Sequence, residues 1–288
     1  MREFKVIARF IMAFILAISI ICFVLIFTLS NTVLSEKYIF DSLEKADYYN
    51  KTYESIESNF EKYIQQSGLD EEVLENLVTK EQVEEDTKRI IISIFDGLHE
   101  DVSTQKLEET LKNNISKSIN NRSLSTEEKK AIDEFTQQIC SEYKTTIVNS
   151  NYESQINTTY KKVMDLINKL KKILIITIGV CIIVLIILNL RRPYKILTNT
   201  AIAFIASGLG LMVINIYINA KIKVQHLSIL NDIISTIVRN IAQDVLGSIL
   251  KYGILLIIVG LITSIVTNFV HNIIKYKSLM QDDVSKDE

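Results

Sequence analysis

Three histidines, three cysteines and two acidic runs carry the most reactive side chains of this 288-residue chain, and their spacing gives them little to do. His99, His226 and His271 stand far apart, and a zinc site needs further ligands at short spacing around one of them. Cys22 and Cys181 fall inside apolar runs, and Cys140 is alone in a polar segment. Without a CxxC or a Cys/His cluster they read as small hydrophobic side chains, and three cysteines do not build a disulfide framework. The runs Asp70-Glu71-Glu72 and Glu84-Glu85-Asp86 lack the spaced oxygen ligands of a calcium loop. Solvated helix faces and helix N-termini account for them. A Gly-rich phosphate loop, an HExxH pair and a nucleophile elbow are all missing from the sequence. No catalytic residue, cofactor or metal is expected, and the chain reads as non-enzymatic.

Polar groups placed among apolar ones are more informative. Asn215 and Asn219 are one helical turn apart in an apolar run, and Asn189 and Asn268 lie towards the ends of two others. A polar group in hydrocarbon needs a partner, so each of these faces another helix or water. Interhelical hydrogen bonding is the expected use, ahead of a conduction path. Ala206 and Gly210 are four apart, as are Gly260 and Ser264. Small residues at that spacing let helices approach closely in lipid.

The elements that position these residues follow from hydropathy. Apolar runs at 10–29, 173–190, 196–219 and 250–270 match the ~20 residues that cross a hydrocarbon core. Arg2, Lys5 and Arg9 precede the first run. Positive charge there puts the tip 1–9 in the cytoplasm, and the long run without a small-x-small cleavage site reads as an uncleaved signal anchor. The basic turn 191–195 and the tail 271–288, opened by His271, Lys275 and Lys277, agree with inward-facing ends. Segments 30–172 and 220–249 are then extracytoplasmic. The second has one apolar face and few charges, and reads as an amphipathic helix at the bilayer interface.

Charge divides the chain the same way. Residues 31–170 hold 27 acids and 17 bases, and the remainder holds 7 and 15. An acidic aqueous domain on a basic membrane part argues against nucleic acid as a partner, since no basic aqueous face large enough for phosphates is present. With one proline and eight glycines, the chain has little material for sheets built on tight turns. Its Ile, Lys and Asn bias fits an AT-rich bacterial genome.

Inside 30–172, the first helix is expected to continue outward as a stalk. Tyr49, Tyr53, Ile56, Phe60 and Tyr63 recur by threes and fours, a coiled-coil-like stripe that needs a helical partner. They form a candidate stalk interface, with ordinary packing the expected use. Thr79 with Gln82, and Ser125 with Glu128, are capping boxes that should start two further helices. Ser67-Gly68 should end the stalk, a short helix should follow near 73–78, and 103–120 should form another. Polar turns are expected at 120–123 and 149–151. The last stalk helix then runs straight into the second span.

The expected fold is therefore an all-α membrane protein. Four transmembrane helices carry a helical extracytoplasmic domain between helices 1 and 2, with stalk helices continuous with the spans. Three functional readings follow. The first is an accessory or sensing subunit whose outer domain binds a partner and couples to the membrane helices. The second is a homo-oligomeric channel gated by that domain, and the third is a structural or immunity-type scaffold. The expected partners are the lipid bilayer and another membrane protein or further copies of the chain.

Overall fold

A computed structural model describes residues 2–98, 100–119, 124–147, 153–190, 194–222 and 232–284. The expected turns at 120–123 and 149–151, residues 191–193 of the basic turn, His99, and residues 223–231 with His226 lie outside the described residues. Among the described residues the structure is helical, without strands. The chain divides into an apolar unit (Met1–Leu34, Leu166–Leu230 and Val238–Glu288) and a polar unit (Ser35–Asp165 and Asn231–Ile237).

The apolar unit holds α1 (Arg2–Asn31), most of α7 (Glu153–Asn189), α8 (Tyr194–Ile222) and most of α9 (Asp232–Val284). Each contains a stretch long and apolar enough to cross a membrane. Large side chains such as Phe10, Ile265 and Phe269 are 73%, 69% and 68% exposed. Water would not tolerate so continuous an apolar surface, and lipid would. These four helices mark the chain as a membrane protein. Inside the unit, Leu16, Ala17 and Ile20 of α1 pack with Cys181 and Leu185 of α7 and Ala203 of α8.

Two expectations fail here. The first is continuity between span one and the stalk. α1 stops at Asn31 and a turn follows, with the Leu34 amide bonded to the Leu29 carbonyl at 3.1 Å. The hydroxyls of Thr28 and Thr32 and the Asn31 amide each donate to the carbonyl four residues back. Such back-bonding loosens a helix end. Ser35 then caps a new helix, α2 (Glu36–Lys45), by accepting from the Tyr38 amide. The break needs neither glycine nor proline, which is why reading their absence as continuity misleads. The second stalk edge is continuous, since α7 runs unbroken from Glu153 to Asn189.

The second is the separateness of the amphipathic helix from the fourth span. Residues 232–249 belong to α9, one helix of 53 residues that also contains the fourth span. At 1.5 Å per residue it is roughly 80 Å long. Gly247 does not interrupt it, because an isolated helical glycine costs only about 1 kcal/mol.

The polar unit contains α2, α3 (Tyr48–Ser67), α4 (Lys80–Asp96), α5 (Gln105–Ser118) and α6 (Thr126–Ile147). Asp47 separates α2 from α3 with a left-handed backbone (φ 54°), which short polar side chains tolerate best after glycine. Gly68 and Gly97 end α3 and α4 in the same conformation. The Thr79 hydroxyl accepts from the Gln82 amide at 3.2 Å. The Ser125 box is reciprocal, with Glu128 N to Ser125 Oγ at 3.2 Å and Ser125 N to Glu128 Oε2 at 2.9 Å. Each such cap contributes about 1 kcal/mol. The helix expected near 73–78 is only a 3₁₀ turn, Glu71–Leu74. Asn114 of α5 pins it by donating to the carbonyls of Val73 and Glu75.

One core joins α3, α4, α5 and α6 through Ile56, Phe60, Ile64, Val83, Leu107, Leu111, Ile139 and Tyr143. The partners of the α3 stripe are thus α4 and α6, rather than a second stalk helix.

Candidate functional site

Two groups of polar residues are held by tertiary structure, one in each unit. In the apolar unit, α1 and α8 run side by side. The Ser207 hydroxyl of α8 lies 3.0 Å from the Ala17 carbonyl of α1 and 2.6 Å from Ala203 O in its own helix. Gly210 faces Ile21, whose Cδ1 would lie 2.7 Å from an added Cβ. The opposite side of α8 meets α9 through glycine. A Cβ on Gly208 would lie 2.5 Å from the Gly253 carbonyl, and one on Gly260 would lie 3.0 Å from the Ala201 carbonyl. Only glycine permits backbones this close.

Asn215 is buried and donates to the Leu246 carbonyl of α9 at 2.6 Å, and Asn219 donates to Asn215 Oδ1 at 3.1 Å. This pair pins α8 to α9 by a side chain-to-backbone bond across the interface. Asn189 is buried at the end of α7 and donates to Leu185 O at 2.8 Å. Its Oδ1 has no partner. Of the paired small residues, Gly210 and Gly260 lie at helix contacts. Ala206 is exposed, Ser264 is half-buried and Asn268 is exposed. The helix faces are set by Ala201, Ala203, Ser207, Gly208 and Gly253, one step round the helix from the expected stripe. Gly208 and Gly210 were both visible in the sequence, but which faces α1 and which faces α9 is decided by tertiary packing.

In the polar unit, Tyr49, Ile56 and Phe60 are buried, while Tyr53 and Tyr63 are half-buried against the core. These residues pack within their own chain. Tyr63 and Asn59 of α3 both donate to Glu142 of α6, at 3.4 Å and 2.8 Å. Tyr49 lines a hollow of about 490 Å³ with Glu44, Asp47, Glu84 and Lys88. The Lys88 ammonium lies 5.6 Å from its ring centroid, a cation–π distance. Burial first, then the negative charges of Glu84 and Glu44, push the Tyr49 phenol up to about 12.

The most enclosed polar contact joins α4 to α6. The Tyr143 hydroxyl donates to Asp86 Oδ2 at 2.6 Å, both residues are buried, and Arg89 reaches the other carboxylate oxygen at 3.4 Å. Burial, followed by the hydrogen bond to Asp86 and its charge, raises the Tyr143 phenol well above the ordinary tyrosine value. The sequence marks Asp86 only as the end of an acidic run. Its pairing with a residue 57 positions later leaves no local signal.

Among the described residues, no group of three or more His, Cys, Asp or Glu side chains could hold a metal ion. No family model, curated protein or solved structure matches the chain. Function must therefore be argued from these two sets of contacts.

Proposed function

We propose that this is a non-enzymatic multi-pass membrane protein whose outer helical domain binds a partner and passes that event to the membrane helices. It would act as an accessory or sensing subunit of a membrane complex. The observation that carries this reading is α7, one helix whose first part belongs to the polar unit and whose remainder belongs to the apolar unit. A helix resists bending, because its hydrogen-bonded ladder must be broken to kink it. Displacement at its polar end is therefore transmitted along it. A turn interrupts the other connection after α1, so the proposed coupling runs through one helix instead of two.

The channel reading has less support. Its motive is the polar third span and the 221–247 segment, and two of that span's polar residues, Asn215 and Asn219, are engaged in hydrogen bonds within the chain.

The reading requires residues 35–165 to lie outside the cell and the N-terminus inside. Cysteine accessibility tests this in a full chain with Cys22, Cys140 and Cys181 replaced by serine. A membrane-impermeant maleimide should label Glu61→Cys on intact cells, and Lys5→Cys only after permeabilisation. The reverse pattern would place the helical domain in the cytoplasm and end the sensing proposal.

A further inference from the structure

Three buried polar atoms without partners lie at one end of the apolar unit: Arg9 Nε, Asn189 Oδ1 and Asn199 Nδ2. Helix register brings two of them to one level. Ser207 against Ala17 and Gly210 against Ile21 set α1 and α8 parallel. Asn199 precedes Ser207, and Arg9 precedes Ala17, by the same interval of about two turns. The two side chains therefore occupy one level of the bundle. α7 brings its C-terminus to that level, since an Arg9 Nη donates to the Leu188 carbonyl at 2.7 Å. Asn189 is the next residue and is 1% exposed.

The Leu188 contact accounts for only part of Arg9. It caps the C-terminal end of α7, where orphan carbonyls and the negative end of the helix dipole favour a cation. It also fixes the guanidinium, leaving Nε–H buried and without an acceptor. No ion pair to Arg9 occurs among the described residues. A guanidinium held at the edge of an apolar bundle without a carboxylate is a costly arrangement unless an anion completes it. Asn199 adds a second donor one side away, and Asn189 adds an acceptor.

We infer that this cluster binds a phosphate group, with Arg9 and Asn199 donating to phosphoryl oxygens and Asn189 accepting from a hydroxyl on the same ligand. Phosphate oxygens suit the planar fork of arginine better than a point charge would. A phospholipid headgroup and free phosphate share this chemistry. The position of the cluster at the end of membrane-crossing helices makes both accessible sources.

Native mass spectrometry of the purified full chain, in micelles doped with dioleoylphosphatidylglycerol, tests the inference. One phosphatidylglycerol should stay bound under activation that removes detergent, and dioleoylglycerol, with the same tails and no phosphate, should not. Asn199→Leu, which leaves the Arg9–Leu188 bond in place, should reduce retention about tenfold, the size of effect expected for one charge-assisted hydrogen bond. Arg9→Gln should abolish it, and Arg9→Lys should fall between. Should Arg9→Gln fail to fold, Asn199→Leu and Asn189→Leu carry the test. Excess inorganic phosphate that displaces the lipid assigns the site to soluble phosphate, and no displacement assigns it to the lipid. Equal retention of dioleoylglycerol, or wild-type retention by the folded Asn199→Leu variant, would overturn the inference.

Discussion

Tyr143→Ala should unfold the polar unit while leaving the four apolar helices inserted. Tyr143 is fully buried at the centre of the core, and truncating a buried aromatic side chain costs about 3–5 kcal/mol. That is a large share of what holds a domain of this size together. Tyr143→Phe isolates the polar part of the effect. It preserves packing but removes the only donor to Asp86 Oδ2 described at hydrogen-bonding distance, and a buried carboxylate oxygen left short of a partner costs about 1–3 kcal/mol. Hydrogen exchange on the full chain in nanodiscs would read both variants. Faster exchange should be confined to α3, α4, α5 and α6. Exchange in Tyr143→Phe equal to wild type would show that the Asp86 contact contributes nothing.

The same phenol gives the polar unit a limit at alkaline pH. Its pKa is raised on folding, so the folded state favours the protonated form. The stabilisation is complete below the ordinary tyrosine value of 10.0 and is lost as pH rises above it towards the folded value. Unfolding of the wild type above that pH should be sharper than that of Tyr143→Phe, which has no proton to lose there.

Gly208→Ala should separate α8 from α9. Its Cβ would meet the Gly253 carbonyl at 2.5 Å and Ile257 Cγ1 at 2.6 Å. A side-chain carbon can rotate away, but a helix carbonyl cannot move without moving the helix. Overpacking of this kind costs about 1–3 kcal/mol, and the Asn215–Leu246 bond on the same interface would lengthen with it. Gly179→Ala and Gly247→Ala supply the contrast, since nothing lies within 4 Å of either added Cβ. Those two should melt at or above the wild-type temperature, because alanine is the better helix former by up to about 1 kcal/mol. Thermal melting of the three variants in one detergent settles the comparison. Equal melting for Gly208→Ala and Gly179→Ala would mean that the close approach at Gly208 contributes nothing to stability.

What the sequence made legible is what depends on near neighbours. The Thr79 and Ser125 caps read directly, because a hydroxyl and the amide it accepts from are three residues apart. The helical stripe of α3 is visible in the sequence, since the 3.6-residue period is local. Its partners were not legible, because α4 and α6 are chosen by the shape of the whole core. The joints were the least readable parts. The break at 32–34 is made by threonine and asparagine side chains taking backbone carbonyls, a competition whose outcome depends on what surrounds the helix end. The continuity of α9 was hidden because hydropathy falls near residue 249 while helical propensity does not. A change of solvent was read as a change of element. Arg9 was visible only as a positive charge before a span, and its tertiary contacts give it a second role.

In the proposed coupling, a partner in the membrane receives what the outer domain binds. Site-specific photo-cross-linking in native membranes tests this most directly, with the reactive residue placed at exposed Glu61 of α3 and, separately, at exposed Leu261 of α9. Both positions should capture the same second membrane protein, identified by mass spectrometry, because one partner would contact both the polar unit and the membrane helices. Cross-links only between copies of this chain, in a closed ring of fixed size, would contradict it and make the homo-oligomeric channel the better reading.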